Sequence, residues 1–226
     1  MHAQMLGALG RRRPPRKGER ILDAGCGTGG FLAGLGERFP ETEPLGVEID
    51  AAAGTVAREH SRRPVCIGSV NALPFADARF AAILSTDVLC HEGVDEAEAL
   101  RQFERCLAPG GVLVLNLPAY AWLLSWHDTA VHNVRRYSAA RVRELLAAAG
   151  FTGIRTGYWN TLLFPLMVLR RKLGWRKGAS HGSDVAELPA PVEAAFRLAV
   201  RIEAALVGLG LRLPFGGSVL ATAVKP

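Results

Sequence analysis

A glycine-rich stretch near the start of the chain is the first place where residue types and spacing could serve chemistry. Residues 23–30 read DAGCGTGG and follow the strand-like run RIL at 20–22. Glycine adopts left-handed backbone conformations and lets a ligand approach the main chain closely. If a helix begins after these glycines, its unpaired N–H groups and positive dipole end face the same turn. The stretch therefore predicts a site for a cofactor that carries a negatively charged group.

The glycine spacing is shared by more than one class of cofactor site. Gly25, Gly27 and Gly30 satisfy the G-x-G-x-x-G pattern of dinucleotide sites. The acidic Glu48 follows about 20 residues later, where a group that holds ribose hydroxyls is expected. A carboxylate accepts hydrogen bonds from two vicinal hydroxyls, and Asp50 offers the same chemistry. This spacing alone does not decide between a dinucleotide and another nucleoside cofactor.

A second concentration of reactive side chains lies between residues 116 and 137. It contains His127 and His132, and a histidine with a pKa near about 6.5 suits proton transfer at neutral pH. Asp128 or Tyr137 could orient one of these imidazoles. We predict His127, His132 and Tyr137 as the catalytic residues.

The same segment offers aromatic and basic side chains that could hold an acceptor. The predicted acceptor-binding residues are Tyr120, Trp126, Arg135 and Arg136. Adjacent arginines can clamp a carboxylate or phosphate through their planar guanidinium groups. In the alternative, His132, Arg135 and Tyr137 only fix the segment to the domain through hydrogen bonds, and the sequence leaves both open. The histidines have no convincing third ligand beside them, so we predict no metal site.

Short apolar runs alternate with helical stretches along the chain, which is typical of a parallel sheet covered on both faces. We predict strands near residues 20–24, 44–49, 64–68, 80–86, 111–117, 152–159 and 218–224. We predict helices over residues 30–38, 51–61, 95–107 and 138–149, the last with Ser138 as its N-cap. Ligands of open α/β sheets bind at the carboxyl ends of the strands. The glycine-rich stretch and the polar segment should therefore meet at that edge.

Several stretches, taken in order, resemble the class I S-adenosylmethionine-dependent methyltransferases. They are DAGCGTGG at 23–30, GVEID at 46–50, NALPF at 71–75 and LAPGG at 107–111, joined by a sequence similar to H-x-x-R-R-Y-[ST] at 132–138. The resemblance covers residues 20 to about 157. It implies an α/β fold with a Rossmann-like, doubly wound seven-stranded sheet and an antiparallel last strand. It also implies S-adenosylmethionine as the cofactor.

The resemblance assigns cofactor contacts to individual residues. It favours Glu48 over Asp50 for the ribose diol and places Ile49 against the adenine face. Where relatives carry an acidic residue for adenine, this chain has Ser69, so Asn71 or backbone groups are expected to share that contact. The predicted cofactor-binding residues are Asp23, Gly25, Cys26, Gly27, Glu48, Ile49, Ser69, Val70, Asn71, Ser85 and Thr86.

Residues 160–217 are the largest departure from this family, whose members usually have a short connection there. We predict helices over 161–173 and 191–209, forming a helical insertion within a single methyltransferase domain that spans residues 1–226. Residues 1–9 are expected to form at most a short helix, because Pro14 and Pro15 would stop it. The insertion, rather than the N-terminal segment, is therefore expected to supply much of the cover over the cofactor.

The charge and cysteine content of the chain limit its expected binding partners and location. The net charge is +6, from 27 basic and 21 acidic residues, with basic clusters at 11–17 and 170–177. The sequence contains no recognised nucleic-acid-binding module, so nucleic acid is not a favoured partner. Four cysteines without metal-binding spacing favour a reducing cytoplasm. Residues 161–177 combine apolar and basic side chains, which fits either peripheral contact with a membrane or an apolar lid or dimer face.

The sequence therefore predicts a methyltransferase that acts on a small, partly apolar acceptor such as a natural-product intermediate. O-methylation is favoured over N- or C-methylation, and a histidine base would serve a hydroxyl or a protonated amine. Two alternatives stay open. One is a binding protein that keeps the fold without transferring methyl groups, and the other is a membrane-surface enzyme for a lipid-linked substrate. The oligomeric state is not predicted.

Overall fold

The computed structural model describes residues 1–174, 198–203, 205–206, 211 and 213–226. Within these residues the strands form one seven-stranded sheet in the order β3-β2-β1-β4-β5-β7-β6. The strands are β1 (Arg20–Ala24), β2 (Glu43–Glu48), β3 (Val65–Ile67), β4 (Phe80–Thr86), β5 (Leu107–Pro118), β6 (Thr152–Trp159) and β7 (Ser218–Val224). β7 runs antiparallel to both of its neighbours, whereas β1 to β5 pair in parallel. The predicted doubly wound sheet with an antiparallel last strand is confirmed.

Helices connect the strands at nearly the predicted positions. They are α1 (His2–Arg12), α2 (Gly30–Arg38), α3 (Ala51–Ser61), α4 (Glu96–Cys106), α5 (Trp126–Ala130), α6 (Ala139–Ala148) and α7 (Phe164–Gly174). Asp50, Asp95 and Ser138 are the N-caps of α3, α4 and α6, and each side chain accepts a hydrogen bond from the backbone N–H three residues later. The predicted N-cap at Ser138 is confirmed.

Two apolar layers lie on opposite faces of the sheet. One contains Phe80 and Phe103 and extends to Leu146 on α6. The other contains Met5 and Leu9 of α1 together with residues of α2, β4 and β5. Adjacent strand residues alternate between these layers, as a sheet buried on both faces requires.

The N-terminal helix is longer and more deeply packed than the sequence predicts. α1 has 11 residues, and its Met5 and Leu9 are almost completely buried. Its sulfur atoms accept hydrogen bonds at the carboxyl edge of the sheet, Met1 Sδ from Asn116 Nδ2 at 3.2 Å and Met5 Sδ from Thr86 Oγ1 at 3.0 Å. The expectation of at most a short N-terminal helix is therefore wrong, because α1 extends to Arg12 and its apolar face packs on the sheet. The expectation that the insertion supplies much of the cover over the cofactor stays a prediction.

The insertion is described only in part. α7 begins three residues later than predicted, and of the predicted helix at 191–209 only residues 198–203 and 205–206 lie within the described residues, where they are helical. The Glu203 carboxylate is 3% exposed and accepts hydrogen bonds from the backbone N–H groups of Thr161 and Leu162 at 2.9–3.2 Å. This contact ties the second helical segment to the loop that follows β6.

None of the described helices is long and apolar enough to cross a membrane. The assignment of the whole chain to a single domain stays a prediction, because residues 175–197 lie outside the described part.

Candidate functional site

The glycine-rich turn after β1 has the backbone geometry that the sequence predicts. Gly25, Gly27 and Gly29 have φ values of 81°, 51° and 84°, in the left-handed region. A Cβ atom added to Gly25 would lie 2.3 Å from Cγ2 of Val88. Only glycine therefore lets this turn approach the segment after β4, and the approach brings two strand ends together at one edge.

Glu48 closes the same turn from the end of β2. Its Oε2 atom accepts a hydrogen bond from Gly27 N at 2.8 Å, and its Oε1 atom accepts from Ile49 N at 2.9 Å and Asp50 N at 3.1 Å. Asp50 instead uses its carboxylate as the N-cap of α3. Of the two acidic residues, Glu48 is the one that lies at the turn. Its Oε2 atom has one backbone donor and can accept a further hydrogen bond from a ribose hydroxyl.

Asp23 is a buried carboxyl group without a complete set of partners. It is 1% exposed, and no donor among the described residues reaches its Oδ2 atom. Burial, together with the smaller effect of the nearby Glu48 charge, raises the pKa of Asp23 to about 8. A cationic ligand group would offset this cost, and the amino group of S-adenosylmethionine is such a group. The orphaned oxygen, the glycine cradle and Glu48 together fit the cofactor that the sequence predicts.

Of the residues predicted to contact adenine, one has an exposed side chain and two form hydrogen bonds within the protein. Ile49 is 71% exposed at the turn, so its side chain is available to an adenine face. Ser69 Oγ accepts from Asn71 N at 3.1 Å. The Asn71 amide donates to Gly93 O at 2.8 Å and accepts from Asp95 N at 3.1 Å, so it joins this loop to the start of α4. Its side chain is therefore engaged by the protein.

Four other predicted cofactor residues, Cys26, Val70, Ser85 and Thr86, pack or form hydrogen bonds within the fold. Ser85 Oγ donates to Ala24 O at 2.9 Å, and Thr86 contacts Met5 as described above. Cys26 is buried, with its sulfur so close to Gly46 that a Cβ there would lie 2.6 Å away. Val70 is also buried and is 7% exposed. The side chains of Cys26, Ser85 and Val70 are therefore enclosed by the fold.

Asp87, which sequence reasoning missed, lies at the centre of the carboxyl edge. It follows β4 directly and has a left-handed φ of 54°. Its Oδ1 atom accepts from Asn116 Nδ2 at 3.0 Å, and Asn116 Oδ1 accepts from Trp159 Nε1 at 2.7 Å. We call Asp87, Asn116 and Trp159 the carboxyl-edge network, because they join the ends of β4, β5 and β6. The signal in the sequence was a carboxylate directly after a buried strand.

The carboxyl-edge network changes the acid–base behaviour of Asp87. Burial raises the pKa of Asp87 to about 6, although the hydrogen bond from Asn116 opposes that rise. A carboxyl group with this pKa exchanges a proton near neutral pH. Asp87 is therefore a titratable group beside the cofactor turn.

Tyr137 and the two arginines hold the polar segment onto the domain. The Tyr137 hydroxyl donates to Leu89 O at 2.7 Å, the residue is 2% exposed, and burial raises its pKa above the usual value. Arg135 donates to the carbonyl oxygens of His91 and Val94. These contacts correspond to the alternative in which the segment is fixed by hydrogen bonds, and they leave the Tyr137 hydroxyl engaged away from any ligand.

Arg136 forms a buried ion pair. Its guanidinium group lies 2.6 Å and 2.9 Å from Asp128 Oδ1 and donates to Ala119 O at 3.1 Å, and the two side chains are 6% and 1% exposed. Burial opposes ionisation of Asp128, but the hydrogen bonds and charge of Arg136 outweigh it and hold its pKa below the usual range. The prediction that Arg136 clamps an acceptor is not supported by this placement, because its fork is filled by Asp128.

The two predicted histidines are not placed against Asp87 or the cofactor turn by any described contact. His132 is exposed, has a left-handed φ of 57°, and its backbone oxygen accepts from Glu92 N at 2.9 Å. His127 and Trp126 lie in α5, but their side chains lie outside the described part of the structure. Among the described residues no cluster of side chains could hold a metal ion.

An aromatic cluster lies beside the ends of β5 and β6. It consists of Tyr120, Trp122, Tyr158, Phe164 and Phe215. The rings of Tyr120 and Tyr158 stack with centroids 5.2 Å apart and planes at 10°, and Phe164 lies 5.4 Å from Tyr120. Trp122 is 58% exposed. Among the predicted acceptor residues whose side chains the structure describes, Tyr120 is the one that belongs to this cluster. Its partners come from segments distant in the chain, so the sequence did not reveal them.

Known proteins share both the sequence and the fold. Residues 2–156 match a family described as a methyltransferase domain. The chain is 31% identical to the O-methyltransferase cnsE of Penicillium expansum over 82% of its own length and 71% of that protein. It is 31% identical to the ubiquinone biosynthesis O-methyltransferase of Methylocella silvestris over 76% of its length and 69% of that protein.

A third relative, the malonyl-[acyl-carrier protein] O-methyltransferase of Dechloromonas aromatica, is 33% identical over 59% of the chain, which spans about half (52%) of that protein. Among solved structures, a geranyl diphosphate methyltransferase in complex with S-adenosylmethionine aligns with a TM-score of 0.66 at 18% identity, covering 100% of this chain and 85% of that one. Phosphoethanolamine N-methyltransferase 2 of Haemonchus contortus gives 0.65 at 18% identity, covering 99% of this chain and 52% of that one. These structural likenesses establish the fold.

Proposed function

Because the chain belongs to the S-adenosylmethionine-dependent methyltransferases, we propose that it methylates a hydroxyl group of a small, partly apolar acceptor. When bound, S-adenosylmethionine supplies an electrophilic methyl group on a sulfonium ion. The turn at Gly25 and Gly27, the Glu48 carboxylate and the unpartnered Asp23 carboxyl group are the parts of this chain that hold it. The acceptor then lies at the carboxyl edge beside Asp87.

The observation that carries this proposal is the position of Asp87. It is joined to the cofactor turn through its neighbour Val88, which abuts Gly25, and to β5 through Asn116. A hydroxyl acceptor must lose a proton as it is methylated, and a carboxylate with a pKa raised to about 6 suits that task at neutral pH. Asp87 replaces His127 and His132 as the proposed base.

The carboxyl-edge network holds the Asp87 side chain in position before the acceptor binds. Trp159 donates to the Asn116 oxygen, so the Asn116 amide must present its NH₂ group to Asp87. Bound S-adenosylmethionine would supply the methyl group to the acceptor oxygen, and Asp87 would take up the proton that the hydroxyl loses. Most of the rate gain comes from alignment of the reacting atoms in a dry site.

The aromatic cluster supports an acceptor with a ring or another flat apolar part. Tyr120 and Tyr158 present a stacked pair at the end of β6, one residue before Trp159 of the carboxyl-edge network. Flat rings contribute large contact areas and favour stacked or edge-on partners. Two relatives at 31% identity carry O-methyltransferase in their names, which agrees with oxygen as the acceptor atom.

The acceptor class is tested by supplying isotopically labelled methyl donor with hydroxylated aromatic compounds and with amines of matched size. We expect label only on oxygen, and label confined to nitrogen or carbon would overturn the proposal. With the acceptor found, Asp87→Asn should lower kcat by about 100-fold, within the range for loss of a general base.

The pH profile separates a base from a packing residue. In the wild type, the rate should rise with pH as Asp87 ionises through about pH 6, and Asp87→Asn should lose this limb. Asp77→Asn is the matched control, because Asp77 is 76% exposed and lies before β4, at the opposite end of that strand. Equal rates and profiles in Asp87→Asn and the wild type would remove Asp87 from the chemistry.

A second candidate function, action at a membrane surface, is favoured by an exposed apolar stripe at α7. Leu162, Leu166 and Leu169 are 48–54% exposed and recur at helical spacing just before the basic residues at 170–177. Flotation with vesicles of anionic lipid should carry the wild type upward but not a Leu166→Ser, Leu169→Ser double variant. Val56→Ser, a change of an exposed valine on α3, is the control. Absence of wild-type flotation would reject this candidate.

A further inference from the structure

We propose that the groove between α1 and β6 is a second binding site, which takes the phosphate or diphosphate group of a soluble small molecule. Arg11, Arg12 and Arg155 line a cavity of about 160 Å³ there, together with Trp159 and Thr222. No residue of the cofactor turn lines this groove, and neither does Asp87. Tyr158 and Trp159, which belong to the aromatic cluster and the carboxyl-edge network, also line the groove, so it adjoins the proposed methyl-transfer site. The proposal rests on the three arginines and does not depend on the identity of the acceptor.

Among the described residues, some members of the basic cluster at 11–17 form an ion pair with a carboxylate and others do not. Arg13 pairs with Glu19 at 2.5 Å, and Lys17 pairs with Glu41 at 3.5 Å. Arg11 and Arg12 face the groove instead, and within the described part of the chain neither contacts a carboxylate. The basic cluster at 11–17 therefore presents two of its charges to a cavity.

Arg155 brings a third positive charge to the same place from the sheet. It lies on β6, and its charge, second to burial, lowers the pKa of Arg12. No ion pair to Arg155 is formed by any residue whose position the structure describes. Like charges held this close repel one another, so an anion between them would be stabilised by all three.

Arg12 is held in place at the groove without an anion. The Arg12 guanidinium donates to Gly153 O, which fixes the end of α1 against the start of β6. The Arg11 side chain folds back along α1, since a Cβ added at Gly7 would lie 3.1 Å from its Nη1 atom. Preorganised side chains lose less conformational entropy when they bind a ligand, so this arrangement favours binding.

The chemistry of the lining selects the class of ligand. Guanidinium groups match the oxygen geometry of phosphates and form charge-assisted, often bidentate hydrogen bonds. Ala8, Leu211 and Leu220 supply apolar walls beside them. A concave mixture of this kind fits a small molecule that carries a phosphate on an apolar body, whereas nucleic-acid backbones are tracked by extended basic grooves.

Titration calorimetry with sodium pyrophosphate at low salt tests the site in the full chain. We expect saturable binding by the wild type and about 10-fold weaker binding by Arg155→Gln and by Arg11→Gln, because each change removes charge-assisted hydrogen bonds. Arg79→Gln is the matched control, since Arg79 is exposed just before β4. Its affinity should stay within twofold of the wild type. Arg12 is left intact, because its bond to Gly153 also joins α1 to the sheet.

Binding of S-adenosylhomocysteine by the same variants separates this site from the proposed enzyme function. Unchanged cofactor affinity in Arg155→Gln, with weakened pyrophosphate binding, supports a separate anion site whatever acceptor the enzyme takes. Absence of saturable pyrophosphate binding to the wild type, or an equal loss in Arg79→Gln, would overturn it. Binding to phosphatidic acid vesicles without binding of pyrophosphate would assign the arginines to a lipid surface and overturn the small-molecule site.

Discussion

The cofactor side and the proposed acceptor side of this site, which comprises the aromatic cluster and the segment at 116–137, are built in different ways. The cofactor side is one β-turn-helix unit, and Glu48 reaches its turn through hydrogen bonds to backbone N–H groups. The acceptor side is assembled from side chains on four separate segments, with Tyr120, Tyr158, Phe164 and Phe215 in contact. The first is a local backbone structure, and the second exists only when distant parts of the chain pack together.

This difference explains how one fold can keep its cofactor while its acceptor varies. A turn whose contacts are main-chain atoms and glycines tolerates few changes, because Gly25 already abuts Val88. A cluster of rings on loops can change size and polarity without altering the sheet. The acceptor specificity of this chain should therefore depend on the residues of the aromatic cluster more than on the predicted histidines.

The largest effect should come from the acceptor side, at the Asp128–Arg136 pair. Asp128→Ala leaves the Arg136 charge buried without its partner and should reduce the free energy of unfolding by about 3–5 kcal/mol. Chemical denaturation measures this loss. The matched control is Asp77→Ala, which breaks an ion pair of equal length in which Asp77 is 76% exposed, and it should cost no more than about 1 kcal/mol. Equal costs would mean that the acceptor segment is not anchored by this pair.

The next effect should come from the cofactor side, at Glu48. Glu48→Ala removes the carboxylate at the turn, and the affinity for S-adenosylhomocysteine should fall by about 100-fold, since hydrogen bonds to a charged group contribute about 1.5–3 kcal/mol each. Asp50→Ala is the control. It should cost about 1 kcal/mol of stability through loss of the α3 cap and leave the affinity within threefold. If calorimetry instead showed weakened binding in Asp50→Ala and unchanged binding in Glu48→Ala, Asp50 would be the residue that contacts the ribose.

The same contrast decides what the sequence could predict. The left-handed glycine turn, the position of Glu48 beside it and the N-cap Ser138 are predicted correctly, because their partners lie within a few residues or follow a fixed strand-turn-helix pattern. The contact of Glu48 with the cofactor stays a prediction. The packing of α1 is not predicted correctly, because the burial of Met5 depends on where β5 lies. Helix propensity and the prolines that follow α1 predict where this helix ends, but they do not predict which residues it packs against.

The acceptor-side roles were harder to predict for a similar reason. Tyr137 and Arg135 bond to the backbone oxygens of Leu89 and His91, and a carbonyl oxygen leaves no signature in a sequence. The importance of Asp87 depends on Asn116, which becomes its neighbour only through the pairing of β4 with β5. Residue types identified the segment correctly as polar, but only the partners show which groups are free for chemistry.

A smaller effect should appear at Asp23 as a dependence of stability on pH. The folded-state pKa of about 8 lies above the ordinary value, so the folded protein keeps this proton while the unfolded chain releases it. The ligand-free protein should therefore lose stability as pH rises from about 4 to 8. In Asp23→Asn the dependence of stability on pH should be flatter. The variant should also bind S-adenosylhomocysteine about 10-fold more weakly, because the amino group of the ligand loses a charged partner.

Thermal melts of ligand-free wild type and Asp23→Asn at pH 5 and pH 8 measure this difference. Asp95→Asn is a suitable control, because that carboxylate is an exposed helix cap with the same change of charge. A wild-type slope no steeper than that of Asp23→Asn would mean that the buried carboxyl group is not the source of the pH dependence.

The smallest effect should come from Tyr137, and it addresses the acceptor side directly. Tyr137→Phe removes the buried hydrogen bond to Leu89 O and leaves that oxygen without this donor, so stability should fall by about 1–2 kcal/mol. Turnover of the acceptor found with labelled methyl donor should be unchanged, because the hydroxyl faces the protein. If kcat fell more than 10-fold with stability intact, Tyr137 would act on the acceptor after all. The acceptor side would then use its predicted residues as directly as the cofactor side uses Glu48.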